Sequence, residues 1–131
     1  KGVLPALLGN DFEKRVTFIE DLKEVDLPDI LKPFKKGYLL FDDIYIIKLE
    51  GHAKGQYGMF YDNYFFISDA VWDMKTITLN KRPNILTAFI MEDWKVYNQT
   101  IDKLQELHKN SPFIKIIPTH CSTTLKQYIK D

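Results

Sequence analysis

The strongest constraint on how this chain can fold is a polar pair between two aromatic runs near its middle. Tyr57–Tyr61 and Tyr64–Ser68 are separated only by Asp62-Asn63. Aromatic residues favour strands, and Asp and Asn tolerate the positive φ that a two-residue hairpin turn requires. The sequence therefore predicts a β-hairpin over residues 57–68. Because Phe65–Ile67 contains no polar residue, it predicts a strand that is buried on both faces.

A second strand pair precedes this hairpin. Tyr38–Phe41 and Ile44–Leu49 flank Asp42-Asp43, which we interpret as a turn rather than as an acid–base pair. Residues 1–37 are different in character, because residues 10–36 are rich in charge and are interrupted by Pro28 and Pro33. We expect them to form a long, partly irregular lead-in to the strands.

The clearest helical signal lies between residues 92 and 109. Large apolar residues recur there at spacings of three and four, which is the pattern of an amphipathic helix; they are Trp94, Tyr97, Ile101, Leu104 and Leu107. Asn110-Ser111-Pro112 is a typical end for such a helix. The sequence therefore predicts one long helix with a single buried side.

The last part of the chain predicts one more strand and one more helix. Phe113–Ile117 is a short buried strand by its composition, and Ser122 can cap a helix that runs to Ile129. Residues 38–131 then follow the order strands, helix, strand, helix. This order is typical of an α/β or α+β layered fold, and we treat residues 1–131 as a single unit of it.

Charge and composition exclude several classes of function. Eighteen basic residues balance eighteen acidic residues, and no basic stripe is present, so we expect no nucleic-acid partner. No apolar run is long enough to cross a bilayer, so we expect no membrane partner. A single cysteine, Cys121, cannot form a disulfide within the chain, which favours a cytoplasmic location.

Polar residues follow three of the predicted strands. His52 comes after Ile44–Leu49, Asp69 follows the second strand of the hairpin, and His120 follows the strand near the end of the chain. Side chains at the same ends of neighbouring strands can converge on one site. Two imidazoles and a carboxylate are ligands for zinc or a similar transition metal.

Three short segments around these residues resemble a known family. Gly51–Gly58 resembles the Gly-His-Thr-Pro-Gly segment of the metallo-β-lactamase fold superfamily. Ser68-Asp69-Ala70 resembles its Gly-Asp-Ala segment, and Ile116–His120 resembles its closing Ile-Ile-Pro-Ser/Thr-His segment. The order matches the family, and so do the intervals, with Asp69 17 positions after His52 and His120 51 positions after Asp69.

The resemblance implies a metal-dependent hydrolase that acts on a small-molecule substrate. His52 would ligate one metal ion, Asp69 would bridge two ions, and His120 would ligate the other. Gly55 and Gly58 would let the backbone turn tightly beneath the site. A metal-bound hydroxide would attack an ester, lactone, thioester, amide or phosphodiester. The cofactor would be zinc or another divalent transition metal, with two ions in the complete protein.

The chain also departs from the family. Thr-Pro of the first segment is Ala53-Lys54 here, and the glycine before the aspartate is Ser68. The larger departure is that the family's first-half motif, His-X-His-X-Asp-His, does not occur in the chain. The resemblance therefore covers only the second half of the family's αβ/βα sandwich.

This departure changes what is expected of the chain. We expect a C-terminal half whose residues 1–37 lead in from a missing first half. Alone it would be inactive and would bind metal weakly or not at all. Its partner would be the missing N-terminal half or a second copy, because a half-sandwich exposes apolar surface.

Each candidate residue also has a structural interpretation. His52 can be an ordinary turn histidine, Asp69 can cap a helix at Ala70, and His120 can be a loop residue. His108 suits the last turn of the long helix through the helix dipole, and Cys121 suits a buried structural position. A non-catalytic binding module on the same scaffold is the alternative function.

Overall fold

Six strands, each paired with the next strand along the chain, make up the sheet in a computed structural model of the protein, which describes residues 11–16 and 19–128. The strands are Lys23–Asp26 (β1), Lys36–Leu40 (β2), Ile44–Lys48 (β3), Tyr57–Tyr61 (β4), Tyr64–Ser68 (β5) and Lys115–Pro118 (β6). The helices are Phe12–Arg15 (α1), Lys75–Thr78 (α2), Trp94–Asn110 (α3) and Ser122–Tyr128 (α4), with 3₁₀ segments at Ile19–Asp21, Asp29–Leu31 and Ile85–Ile90. This mixed sheet with helices confirms the predicted α/β class.

The direction of the strands decides which loops lie together. Strands β1 to β5 pair in antiparallel fashion, whereas β5 and β6 are parallel and are connected through α3. As a consequence β3, β5 and β6 all run in the same direction. Their carboxyl ends lie at one edge of the sheet, which we call the carboxyl edge.

The two hairpins differ in how well the sequence predicted them. The hairpin of β4 and β5 has the predicted bounds, and Asp62 in its turn has a φ of 54°. In the hairpin of β2 and β3, Leu40 pairs with Ile44, so the connection has three residues rather than two. Phe41 was expected to end the strand but lies in this turn, where it is 76% exposed and has a φ of 57°.

Helix α3 covers one face of the sheet. Its N-terminus is capped by Asp93, whose Oδ1 accepts a hydrogen bond of 2.9 Å from the backbone N–H of Val96. The predicted apolar stripe is buried almost completely in the structure, which confirms the predicted helix apart from shifts of one or two residues at its ends. Among the described residues, no helix is both long and apolar enough to cross a membrane.

The opposite face of the sheet is covered at β6, where Ile117 is 4% exposed, but not at β5, so the prediction that Phe65–Ile67 is buried on both faces is wrong. Phe65 and Ile67 are fully buried, but Phe66 between them is 37% exposed. The reason is that α3 covers one face only, while alternate side chains of a strand point to opposite faces. A cross-strand row on the exposed side, which we call the open face, consists of Tyr38, Ile46, Met59 and Phe66.

The lead-in is more regular than expected from residue 19 onward. Strand β1 pairs with β2, and the residues that follow it bury Leu27, Leu31 and Phe34 in the core. Ser111, at the end of α3, donates a hydrogen bond of 2.7 Å from its hydroxyl to the carbonyl of Ile30. The sequence did not reveal β1 because three of its four residues are charged, as is common in edge strands.

Parts of two predictions lie outside the described residues. These parts are residues 1–10, 17 and 18 of the lead-in, together with Ile129 at the predicted end of the last helix. The described part of that helix begins at Ser122, as expected, and extends to Tyr128.

Gly51 should tolerate no side chain. It has a φ of 114°, and a Cβ atom would lie 2.1 Å from the backbone nitrogen of Tyr97. We expect Gly51→Ala to lower the free energy of unfolding by more than about 3 kcal/mol, because backbone strain and a clash with helical backbone add together. Urea-induced unfolding followed by circular dichroism measures this loss.

Gly55→Ala is the matched control. Gly55 also has a positive φ, 71°, but a Cβ atom there would have no neighbour within 4 Å. Its substitution should cost only about 1 kcal/mol, from the φ angle alone. Equal losses for the two variants would show that the contact between Gly51 and α3 is not tight.

Candidate functional site

Parallel pairing of β5 and β6 brings two of the predicted site residues together. Ser68 at the end of β5 is in register with Pro118 at the end of β6. Asp69 and His120 follow these strand ends, and His120 Nε2 lies 3.1 Å from Asp69 Oδ1. Two residues separated by 51 positions in sequence therefore form a contact pair at the carboxyl edge.

Asp69 has acceptor capacity that the described residues do not use. Its side chain is 40% exposed and that of His120 is 64% exposed. The Oδ1 atom itself is buried, yet no described group donates a well-aligned hydrogen bond to it. The contact with His120 is close but poorly directed, so this oxygen can still accept a proton donor or a cation. A carboxylate and an imidazole in this position are a chemically suitable pair of metal ligands.

The backbone before Asp69 is strained. Ser68 has a φ of 49°, a conformation that glycine adopts at little cost and other residues adopt rarely. The Ser68 hydroxyl donates a hydrogen bond of 3.1 Å to the carbonyl of Tyr57. The position where the resembled family segment carries glycine is thus one where glycine would be favoured here as well. The strained turn directs Asp69 out of the strand.

His52 lies at the carboxyl edge but makes other contacts. Its Nδ1 is 3.1 Å from Met91 Sδ, and its ring meets that of Trp72 edge to face, with centroids 5.7 Å apart and an interplanar angle of 83°. Its carbonyl accepts a hydrogen bond of 3.1 Å from the backbone N–H of Glu92. The ring of His52 is therefore held by the segment that enters α3 rather than by Asp69 or His120.

A glutamine connects the loop of His52 to the loop of Asp69. Two backbone N–H groups, those of Asp69 and Ala70, lie 3.3 and 2.5 Å from the side-chain amide of Gln56. Because both groups are donors, the amide oxygen rather than the nitrogen must face them. No helix starts at Ala70, since α2 begins at Lys75. The interpretation of Asp69 as a helix cap is therefore wrong.

The two glycines that were expected to lie beneath the site differ in role. Gly55 is in the loop after His52 and has a positive φ, as a tight turn requires. Gly58 is inside β4, where a Cβ atom would lie 2.7 Å from Leu49 Cδ1 and 2.8 Å from the carbonyl oxygen of Phe66. Gly58 thus permits close packing in the sheet rather than a turn.

The described residues do not contain a complete metal-binding cluster. Within ranges 11–16 and 19–128, no group of three or more His, Cys, Asp or Glu side chains is arranged to hold an ion. The pair of Asp69 and His120 is a two-ligand set, and the ring of His52 contacts Met91 and Trp72 instead. Sequence reasoning did not identify Gln56, Trp72 or Met91, because their contacts with the site residues are long-range.

His108 and Cys121 line a separate cavity of about 280 Å³. His108 is in the last turn of α3, and its buried Nδ1 has no hydrogen-bond partner among the described residues. Cys121 is buried, and its Sγ accepts a hydrogen bond of 3.1 Å from the Thr124 hydroxyl. Burial raises the pKa of the Cys121 thiol, but hydrogen bonds from the backbone of Met74 and from Thr124 outweigh it, so the pKa is lowered.

Thr124→Val should raise the pKa of Cys121. The substitution keeps the shape of the side chain but removes the hydroxyl that stabilises the thiolate. Thiolate ultraviolet absorbance as a function of pH measures the change. Thr123→Val, at the exposed neighbouring position, is the control and should leave the titration unchanged. A pKa that is the same in Thr124→Val and in the unmodified chain would contradict this hydrogen-bond assignment.

The chain matches no protein-family model, no curated protein and no solved structure. The resemblance to the metallo-β-lactamase superfamily therefore rests on the three segments around His52, Asp69 and His120. The function of these residues has to be argued from their chemistry and from the edge of the sheet at which they lie.

Proposed function

We propose that this chain contributes metal ligands to a metal-dependent hydrolase of the metallo-β-lactamase type, with Asp69 and His120 as the central pair. The observation that carries the proposal is the 3.1 Å contact between His120 Nε2 and a buried Asp69 oxygen that accepts no aligned hydrogen bond from the described residues. An orphaned carboxylate oxygen beside an imidazole nitrogen is the arrangement that a cation would satisfy.

The residues of the chain would have different roles in binding the metal at this site. Asp69 offers a carboxylate held in place by its strained turn, and His120 offers an exposed ring that can adjust its angle. His52 would be the third ligand, through the nitrogen that does not contact Met91. When bound, zinc or another divalent ion such as iron or manganese would act as a Lewis acid and lower the pKa of water.

A place for a small substrate lies beside Trp72, the residue that contacts His52. A cavity of about 410 Å³ is open to solvent there and has Trp72, Asp73, Lys75 and Arg82 among its lining residues. Its lining is mostly polar and charged, and Trp72, which contacts His52, is the residue that connects it to the candidate ligands. We propose that a small ester, lactone, thioester, amide or phosphodiester is the substrate, as the family resemblance implies.

The open face supports the proposal that the chain is half of a layered domain. Met59 and Phe66 on this face are 38% and 37% exposed, whereas Phe60 and Phe65 on the opposite face are 4% and 0% exposed. A sheet with one apolar face uncovered is stabilised when another layer packs on it. We propose that this layer, from an N-terminal half or a second copy, supplies the remaining ligands.

A non-catalytic binding module is the second candidate function. The observation that favours it is the contact of His52 with Met91, because this contact uses one nitrogen of a candidate ligand in packing. Under both functions we place the protein in the cytoplasm, where a chain with a single cysteine is in a reducing environment.

Metal binding separates the two candidates. We expect Co²⁺ added to this chain to bind weakly, with visible absorption bands that are lost in Asp69→Asn and His120→Gln. His108→Gln is the matched control and should retain the bands, because His108 lines a different cavity. Bands that persist unchanged in both site variants would refute the ligand assignment. Near-stoichiometric zinc that remains bound to this chain after dialysis would refute the proposal that its metal site is incomplete.

Hydrolysis tests the activity itself. In the full-length gene product, we expect metal-dependent hydrolysis of at least one compound in a panel of lactones, thioesters, amides and phosphodiesters. His52→Ala combined with His120→Ala should reduce the rate at least about 100-fold, because metal ligands are removed. An unchanged rate in the double variant would exclude the metal mechanism, and activity towards none of the panel would favour the binding module.

Self-association tests the open face. We expect this chain to form dimers or larger species in light scattering as its concentration rises. Met59→Lys combined with Phe66→Lys should shift it to the monomer, because two charges cannot be buried in an apolar interface without partners. Phe113→Lys is the control, since Phe113 is also exposed, at 53%, but lies outside the open face. A monomer at all concentrations in the unmodified chain would contradict the prediction.

A further inference from the structure

The contact between His52 and Met91 specifies where the proton of the imidazole resides. His52 Nδ1 lies 3.1 Å from Met91 Sδ. A thioether sulfur has lone pairs but no hydrogen, so it can only accept a hydrogen bond. If Nδ1 were unprotonated, two lone pairs would face each other at this short distance. The favourable arrangement is therefore an N–H group at Nδ1 that points to the sulfur.

We infer that Met91 holds neutral His52 in the Nδ1–H tautomer and so leaves Nε2 as the nitrogen that can bind a metal or accept a proton. A neutral imidazole has one donor and one acceptor nitrogen, and the hydrogen bond made by one nitrogen fixes the role of the other. The assignment of the tautomer follows from the contact with Met91 alone. The inference that this tautomer prepares Nε2 to bind a metal rests on the proposed function.

The surroundings keep this hydrogen bond in place. Met91 is 8% exposed, so water does not readily replace its sulfur as the acceptor. Trp72 meets the imidazole edge to face and restricts rotation of the ring. The backbone N–H groups of Glu92 and Asp93 donate hydrogen bonds of 3.1 and 3.0 Å to the carbonyls of His52 and Gly51. These bonds tie the loop of His52 to the short segment that carries Met91 and enters α3.

Met91 is in this respect a positioning residue. Among the described residues its sulfur is hydrogen-bonded to His52 and not to Asp69 or His120, so it acts through the His52 ring. Metal-binding histidines commonly donate their second ring N–H to an acceptor, which orients the ring and fixes the tautomer. Oxygen atoms usually take this acceptor role, and here a buried thioether takes it. A sulfur acceptor is weaker than a carboxylate, so the ring gains orientation with little added negative charge.

Nuclear magnetic resonance can read the tautomer directly in the metal-free protein. The chain is labelled with ¹⁵N in its histidines and studied at a mildly alkaline pH. We expect long-range ¹H–¹⁵N spectra to show His52 predominantly protonated at Nδ1. Met91→Leu, which keeps the volume but removes the acceptor, should shift the population towards Nε2–H. Met74→Leu is the control at a partly buried methionine that does not contact His52 through its sulfur, and it should change nothing.

Each outcome decides the inference. A His52 ring protonated at Nε2 in the unmodified chain would overturn it, and this result does not depend on whether the Met91 variant folds. An unchanged tautomer in Met91→Leu would also overturn it. If the tautomer is as inferred, Met91→Leu should weaken Co²⁺ binding about 10-fold; unchanged affinity would overturn the positioning role. If the Asp69 and His120 variants all still bind Co²⁺, the proposed function would be refuted, but the inferred tautomer of His52 would not be affected.

Discussion

The parallel pairing of β5 with β6 is the constraint on which the site depends. A parallel neighbour requires a crossover connection, and the crossover here contains α3. The helix buries the apolar residues of one sheet face. It also returns the chain to the end of the sheet where β5 begins, so that β6 can run parallel to β5. Because both strands then end at the same edge, Asp69 and His120 meet without any direct signal between them in sequence. An antiparallel last strand would have placed His120 at the opposite end of the sheet.

Much of the fold could be predicted from local patterns. The turn at Asp62-Asn63 and the period of α3 are properties of neighbouring residues, and both were identified correctly. The failures arose where tertiary packing decides. Phe66 is part of an apolar run that is typical of a buried strand, but no layer covers its side chain in the described structure. Strand β1 has the composition of a loop but is held by its pairing with β2.

The candidate site was also predicted in part, from local patterns, and missed in part, where tertiary contacts decide. The sequence predicted that polar residues after three strands would share an edge, and the strand directions place His52, Asp69 and His120 at that edge. It could not predict that the ring of His52 would contact Met91, because these residues are 39 positions apart and meet only in the tertiary structure. It also gave no indication that Gln56 links the two loops. The metal-binding role of these residues stays a prediction until binding is measured.

The composition of the outer strands limits the ways in which this sheet can grow. Strand β1 presents Lys23, Glu24 and Asp26 along one border, and β6 ends at Pro118, which has no N–H to donate to a further strand. Addition of another strand in the plane of the sheet is therefore disfavoured at β1 by charge and at the end of β6 by a missing donor. Stacking on the open face meets neither obstacle. A partner that packs on the open face, as proposed above, would therefore thicken the domain rather than widen it.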